Sequence, residues 1–175
     1  MESEDAPALD PITGLSTAEE FHREARAAVE SRTEPLTIAV LDIYGLDVGD
    51  AALRTLARVL QTQLRQADTA ARLEDGNFAL LMRQASLPDA GRVLQRVEDA
   101  LLDAAVDDNI DCVVEFCSGA AQWNSHEDYP EFLARARLWL EAEKRSRKPG
   151  PVVALPNTRD RRRPAPGKAS AGGLN

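Results

Sequence analysis

The apolar run Leu-Thr-Ile-Ala-Val-Leu-Asp-Ile at residues 36–43 constrains the fold more than any other feature of this sequence. It has the length of a strand and is rich in β-branched residues, and only Thr37 and Asp42 interrupt it. A strand without polar alternation is typical of the centre of a sheet that is covered on both faces. We therefore expect the rest of the chain to supply neighbouring strands and covering helices.

Helical and strand patterns alternate along the remaining chain. An apolar period of about 3.6 residues predicts helices at Thr17–Val29, Asp50–Arg65, Asp89–Ala104 and Glu131–Arg147. Strand patterns occur at Ala70–Leu73, Phe78–Met82, Cys112–Ala121 and Val152–Leu155. The first two flank an Asp-Gly step with hairpin chemistry. This order predicts the α/β class, with a central mixed sheet of about five strands flanked by helices.

The chain of 175 residues is long enough for one domain and too short for two. We expect a flexible N-terminus over residues 1–9, which are acidic and lack periodicity. Residues 10–155 form the predicted domain. Residues 156–175 are rich in Pro, Gly, Ala and Arg, which is typical of a disordered basic tail.

Several side chains have an expected local role. Ser16 or Thr17 is the predicted N-cap of the first helix, and Asp50 that of the second. Helical spacing places Leu102 on the inward face of the third helix. The position of Trp139 in the last helix favours the core.

The net charge of −8 is not typical of a nucleic-acid-binding protein, so an anionic ligand needs a local arginine cluster. No apolar run has the length of a membrane helix, and the first thirty residues do not resemble a signal peptide, so we expect a cytoplasmic protein. Cys112 and Cys117 are predicted buried thiols that form no metal cluster with His22 and His126.

A set of short strings appears in a particular order: Asp10-Pro11-Ile12-Thr13-Gly14-Leu15, Leu41-Asp42-Ile43, Val48-Gly49-Asp50, Cys117-Ser118-Gly119-Ala120 and Lys144. Their order and spacing resemble the GGDEF domain, the fold of diguanylate cyclases, which condense two GTP molecules into cyclic di-GMP, a bacterial second messenger. The resemblance covers about residues 10–155 and implies a nucleotidyl-cyclase palm-like fold. It places the family's nucleotide site at Asp42, Asp50, Lys144 and the hairpin.

The signature of the family is degenerate in this chain, where Glu74-Asp75-Gly76-Asn77-Phe78 stands in place of Gly-Gly-Asp-Glu-Phe. The family's glycines let the backbone approach the triphosphate, and its first acidic residue binds the catalytic metals. Glu74 and Asp75 bring negative charge there, and Gly76 offers no ligand. The nine residues from Asp42 to Asp50 also omit the family's guanine-reading segment.

The resemblance therefore implies a vestigial active site and no enzyme. We expect no catalytic residue, no functional Mg²⁺ site and no other metal or cofactor. The vestigial residues are Asp42, Asp50, Glu74, Asp75, Gly76, Asn77 and Lys144.

A second site of the family matches better. Its inhibitory Arg-x-x-Asp motif binds cyclic di-GMP and begins nine residues before the signature, where this chain has Arg65-Gln66-Ala67-Asp68. A further arginine on the following helix completes that site, and Arg96 falls at its position. Arginine offers a planar set of donors to phosphate or guanine, and aspartate accepts from the guanine N1 and N2 donors. The alternative is an ordinary ion pair at a helix end.

These observations favour a catalytically inactive receptor that binds cyclic di-GMP through Arg65, Asp68 and Arg96 and signals to an unidentified protein partner. The resemblance also implies a possible ligand-linked homodimer. The alternative is a nucleotide-independent interaction scaffold on the same fold, in which residues 159–168 of the tail contact a partner or a membrane surface. A third, lesser alternative is residual cyclase activity or GTP sensing through Asp42, Asp50 and Lys144.

Overall fold

The computed structural model describes residues 6–44, 48–107 and 115–147. Within these ranges the elements in chain order are α1 (Ala18–Glu30), β1 (Leu36–Tyr44), α2 (Asp50–Gln63), β2 (Thr69–Arg72), β3 (Phe78–Arg83), α3 (Leu87–Asp107), β4 (Glu115–Gln122) and α4 (Tyr129–Ser146). Each predicted helix is present. The predicted strand at Val152–Leu155 lies outside the described residues.

The four described strands form one sheet in the order β2-β3-β1-β4. Every strand pair in it is antiparallel, and Leu41 on β1 lies between Phe78 on β3 and Ser118 on β4. The parallel pairing found among the described residues is an isolated bridge from Ser16 to Ala71. The α/β class predicted from the sequence is confirmed, with β1 at the interior of the sheet. The predicted mixed sheet is antiparallel throughout its four described strands.

The burial of β1 explains its unbroken apolar sequence. Its odd-numbered residues Ala39, Leu41 and Ile43 belong to the core on one face of the sheet, together with buried residues of α2 and α3. Ile38 and Val40 belong to the core on the other face, together with buried residues of α1 and α4. Because successive side chains of a strand point to opposite faces, both sets must be apolar.

Gly119 on β4 sets the position of α4 against the sheet. A Cβ atom at residue 119 would lie 2.0 Å from the backbone nitrogen of Leu140 and 2.5 Å from the carbonyl oxygen of Ala136. The helix backbone therefore contacts the strand directly. The helix begins with a capping box in which Asp128 and Glu131 each accept from the other's backbone N–H. These contacts fix the direction in which the α4 side chains project.

Three local predictions were wrong. Trp139 is 58% exposed, and Leu102 is 41% exposed, because α3 and α4 each bury another face against the sheet. Asp50 is not the N-cap of α2: Gly49 occupies that position, without a side-chain hydrogen bond, and Asp50 is the first helical residue. Thr17 is the N-cap of α1 and accepts from the backbone N–H of Glu20.

The N-terminal segment, the cysteines and the helices add three findings. Ala8 and Leu9, which we expected in the flexible N-terminus, pair with Thr17 and Ser16 respectively. Cys117 is a buried free thiol 3.3 Å from the hydroxyl oxygen of Tyr44, whereas Cys112 lies outside the described residues. None of the described helices is long and apolar enough to cross a membrane.

Candidate functional site

The hairpin between β2 and β3 closes with a tight turn at its Asp-Gly step. The backbone N–H of Gly76 donates to the carbonyl of Leu73 at 3.0 Å, and the N–H of Leu73 donates to the carbonyl of Asn77 at 2.8 Å. Gly76 has a φ of +84°, a conformation that L side chains rarely adopt. The glycine at this position is therefore explained by the turn itself.

Each acidic side chain of the hairpin has a cationic or hydrogen-bonding neighbour on one of the helices α1 and α4. Glu74 Oε1 lies 2.9 Å from Nε2 of His22 on α1, and Asp75 Oδ2 lies 3.4 Å from Nη2 of Arg137 on α4. His22 Nδ1 lies 2.5 Å from the hydroxyl of Tyr129. Because a carboxylate only accepts, Nε2 of His22 carries the proton given to Glu74, and in the neutral ring Nδ1 accepts from Tyr129.

The protonation of these groups follows from their surroundings. A hydrogen bond from its own backbone N–H lowers the pKa of Glu74, burial opposes this, and His22 adds to the lowering. Burial raises the pKa of Tyr129 to about 12, so its hydroxyl keeps its proton at physiological pH. We call Glu74, Asp75, His22, Arg137 and Tyr129 the hairpin clamp, since together they join the hairpin to α1 and α4.

The carboxylate at the end of β1 is also paired within the chain. Lys144 Nζ lies 2.7 Å from Oδ2 of Asp42 and 3.3 Å from Oε1 of Glu141. Burial by itself lowers the pKa of Lys144, but the hydrogen bond and the charge of Asp42 outweigh it and raise the pKa above its usual value. Lys144 therefore remains charged and holds the Asp42 side chain.

The residues at this site do not fit a magnesium–nucleotide centre. Mg²⁺ needs one or more carboxylates that are open to it, and Asp42 is paired with Lys144 while Gly76 has no side chain. Asp50 is exposed at the first position of α2. In the described part of the chain, no group of three His, Cys, Asp or Glu residues is placed to hold a metal ion.

Arg65 and Asp68 lie in one turn directly after α2. Asp68 accepts from two backbone N–H groups, that of Arg65 at 3.2 Å and that of Arg83 at 3.1 Å, and its own N–H donates to the Arg65 carbonyl at 3.0 Å. Within the described residues no ion pair joins the two side chains, so the expected alternative of an ordinary ion pair is not present. The exposed Arg65 side chain and the carboxylate line a cleft of about 410 Å³ beside Leu15 and Leu64.

The third predicted residue, Arg96, lies in the middle of α3 and is exposed. No hydrogen bond or ion pair connects it with Arg65 or Asp68 in the described structure. Hydrogen bonds from Ser86 lower the pKa of Asp89 on α3, and the charges of Arg92 and Arg65 add to this lowering. Since α3 rises 1.5 Å per residue, Arg96 is about 10 Å farther along the helix than Asp89.

The family model for the diguanylate cyclase GGDEF domain matches residues 8–149. This chain belongs to the GGDEF family. Among curated proteins, it is 31% identical over 140 residues to the uncharacterized protein YhcK of Bacillus subtilis, an alignment that covers 71% of this chain and 39% of YhcK. The GGDEF chain thus spans well under half the length of that relative.

Two solved structures share the fold of this GGDEF domain. The diguanylate cyclase SiaD of Pseudomonas aeruginosa, solved in complex with its activator SiaC, has a TM-score of 0.67 and 29% identity, over 79% of this chain and 58% of SiaD. The GGDEF domain of DgcB from Caulobacter crescentus, solved with c-di-GMP, has a TM-score of 0.65 and 22% identity, over 82% of this chain and 94% of that domain.

Sequence reasoning missed the cationic and hydrogen-bonding members of the hairpin clamp in this GGDEF domain. His22 entered the sequence analysis only where a metal cluster with the cysteines was excluded, and Tyr129 and Arg137 were not singled out. Glu74 and His22 are 52 residues apart, so no local spacing connects them. Glu74 and Asp75 are exposed at the hairpin tip, and exposed acids do not require nearby cations, so no local signal pointed to these residues.

Proposed function

We propose that this protein is a catalytically inactive GGDEF domain that acts as a receptor for cyclic di-GMP through Arg65, Asp68 and Arg96. The observation that carries the proposal is the Arg65–Asp68 turn, which is already formed beside an open cleft of about 410 Å³. The family membership supplies the ligand class, and the GGDEF domain of DgcB was solved with c-di-GMP.

The absence of cyclase activity is supported by charge at the vestigial site. The carboxylates of Glu74 and Asp75 lie where the signature glycines admit the triphosphate, and the cation Lys144 is held by Asp42. A triphosphate would have to approach two negative side chains and displace an internal ion pair. Both effects disfavour GTP, and the ion pair with Lys144 occupies the carboxylate of Asp42.

Ligand binding at the Arg65–Asp68 turn is supported by the exposure of Arg65 and by the hydrogen bonds of Asp68. The Arg65 guanidinium is exposed and forms no ion pair among the described residues, so binding a phosphate does not require breaking one. The two hydrogen bonds to Asp68 fix its carboxylate in place, and a carboxylate with two such bonds retains further acceptor positions for guanine. We expect Arg96, which is exposed farther along α3, to contact the far end of a dinucleotide.

Isothermal titration of the full chain with cyclic di-GMP tests the proposal. The variants Arg65→Ala and Arg96→Ala are expected to weaken binding by about tenfold to a hundredfold, because each removes charge-assisted hydrogen bonds. Arg54→Ala is the matched control, since Arg54 is an exposed arginine on α2 that does not line the cleft. GTP with Mg²⁺ serves as the comparison ligand.

Each result of the titration has a definite meaning. Binding that is lost in Arg65→Ala and kept in Arg54→Ala supports the receptor and its site. A wild-type chain that binds no cyclic di-GMP at high micromolar concentration overturns the function, and equal binding by all variants overturns the site. Light scattering with and without the ligand tests the predicted ligand-linked homodimer.

A nucleotide-independent interaction module is the second candidate function. The observation that favours it is the exposure of two large apolar side chains on α4, Leu138 at 69% and Trp139 at 58%. Large exposed apolar groups that lie together mark contact surfaces more often than isolated ones do. A chain that binds neither nucleotide but keeps a partner would fit this candidate.

A further inference from the structure

The outward face of α4 carries an ordered set of exposed side chains. Helical spacing of three, four, four and three residues aligns Glu131, Ala134, Leu138, Ala142 and Arg145 on one side of the helix. All five are exposed, whereas the opposite side of α4 is buried against the sheet. We call these five residues the α4 stripe.

The α4 stripe is symmetric about Leu138. Ala134 and Ala142 are each four residues from it, while Glu131 and Arg145 are each seven residues from it, with the acid towards the N-terminus and the base towards the C-terminus. If a second α4 lies antiparallel across a two-fold axis at Leu138, Ala134 of each copy faces Ala142 of the other copy. Each Glu131 then faces Arg145 of the second copy.

The chemistry of each position suits such a contact. The small side chains of Ala134 and Ala142 let two helices approach closely, and Leu138 is 69% exposed at the centre. Trp139, at 58% exposure, flanks the stripe and supplies a large apolar surface. The capping hydrogen bond of Glu131 occupies Oε2, at 3.1 Å from the backbone nitrogen of Asp128, so the carboxylate can still accept from an arginine.

We propose that the α4 stripe is a self-complementary surface through which two copies of this chain associate in an antiparallel, two-fold arrangement. The stripe extends over about 20 Å of helix, and one helix pair buries less area than a standard stable interface. The dimer is therefore weak and depends on concentration. It is independent of cyclic di-GMP, whose proposed site lies in the turn after α2 and on α3.

Sedimentation equilibrium of the full chain over the micromolar range measures the association. The wild type is expected to show a monomer–dimer equilibrium, and Leu138→Asp is expected to remain monomeric. Leu102→Asp is the matched control, because Leu102 is an exposed leucine on α3. A wild type that is monomeric throughout overturns the proposal, as does a control variant that disrupts the dimer as strongly as Leu138→Asp.

A charge exchange tests the antiparallel arrangement itself. Arg145→Glu alone and Glu131→Lys alone each place like charges opposite one another, so each is expected to weaken its own dimer by at least about tenfold. Mixed in equal amounts, the two variants restore both opposite-charge contacts and form heterodimers. Restoration by mixing also shows that both variants are folded, whereas a mixture that stays monomeric beside a dimeric wild type overturns the arrangement.

Discussion

Gly119 shows how a single residue determines the position of a helix. The absence of a side chain lets the α4 backbone lie directly on β4, with a hypothetical Cβ only 2.0 Å from the Leu140 nitrogen. A contact between backbone atoms cannot be relieved by rotating a side chain, so any larger residue must displace the helix. Arg137 and Lys144, which pair with Asp75 and Asp42 respectively, lie on that helix.

Gly119→Ala is expected to lower the free energy of unfolding by about 3 kcal/mol or more, because the methyl group collides with helix backbone. Chemical denaturation followed by circular dichroism measures the change. Gly91→Ala is the control, since a Cβ at Gly91 meets no atom within 4 Å and the residue lies in α3. That variant is expected to be neutral or slightly stabilising, and equal losses for both variants would contradict the backbone contact.

Asp10 stabilises the turn that precedes α1. Its Oδ2 accepts from the backbone N–H of Thr13 at 2.8 Å and from the Thr13 hydroxyl at 2.7 Å. Burial by itself raises the pKa of Asp10, but the hydrogen bonds from Thr13 and the charge of Arg72 outweigh it and bring the pKa below its usual value. The ionised carboxylate is therefore the form that the folded state prefers.

Asp10→Asn is expected to lower the free energy of unfolding by about 1 kcal/mol at neutral pH. Because the folded pKa is depressed, this advantage of the wild type is complete above the unfolded pKa and is lost as the pH falls through the folded pKa. Urea unfolding at about pH 7 and at about pH 3 measures the difference. The exposed Asp103→Asn is the control, and a wild-type advantage that grows on acidification would contradict the assignment.

At the scale of elements, the sequence predicted the strands and the turn of the β2–β3 hairpin, but it did not predict the contacts that the hairpin makes with α1 and α4. The Asp-Gly step and the flanking apolar strands are local signals, so the turn at Gly76 was predicted from neighbouring residues. The helices were predicted from the period of their apolar residues, but the sequence did not predict that Trp139 is exposed. Periodicity identifies a helix, and only the packing of that helix decides which of its faces is buried.

The hairpin clamp leads to a prediction about activity. In the double variant Glu74→Gly, Asp75→Gly the signature glycines return, but Asp42 remains paired with Lys144 and residue 76 is still a glycine. We expect neither the wild type nor this variant to form cyclic di-GMP from GTP with Mg²⁺ or Mn²⁺, measured by chromatography beside an active cyclase. Product from the wild type would contradict the proposed inactivity.

At the scale of the whole molecule, cyclic di-GMP bound only to the folded state must raise its stability. At a ligand concentration of about 100 times Kd the expected gain is about 2.7 kcal/mol, visible as an upward shift of the thermal midpoint. Arg65→Ala is expected to remove the shift, and Arg145→Glu to preserve it, because the α4 stripe and the cleft lie on different elements. A shift in Arg65→Ala equal to that of the wild type would contradict the assigned site.

The sequence by itself determined the elements, the family and the Arg65–Asp68 spacing, because each depends on residues close together along the chain or on the order of short strings. It also contained Glu-Asp-Gly-Asn at residues 74–77, where the resemblance places the signature of the family. The tertiary structure alone decided that His22 reaches Glu74, that Lys144 reaches Asp42, and that α4 presents Leu138 and Trp139 outward. These features join residues far apart in sequence, and their distances are set by how the helices pack on the sheet.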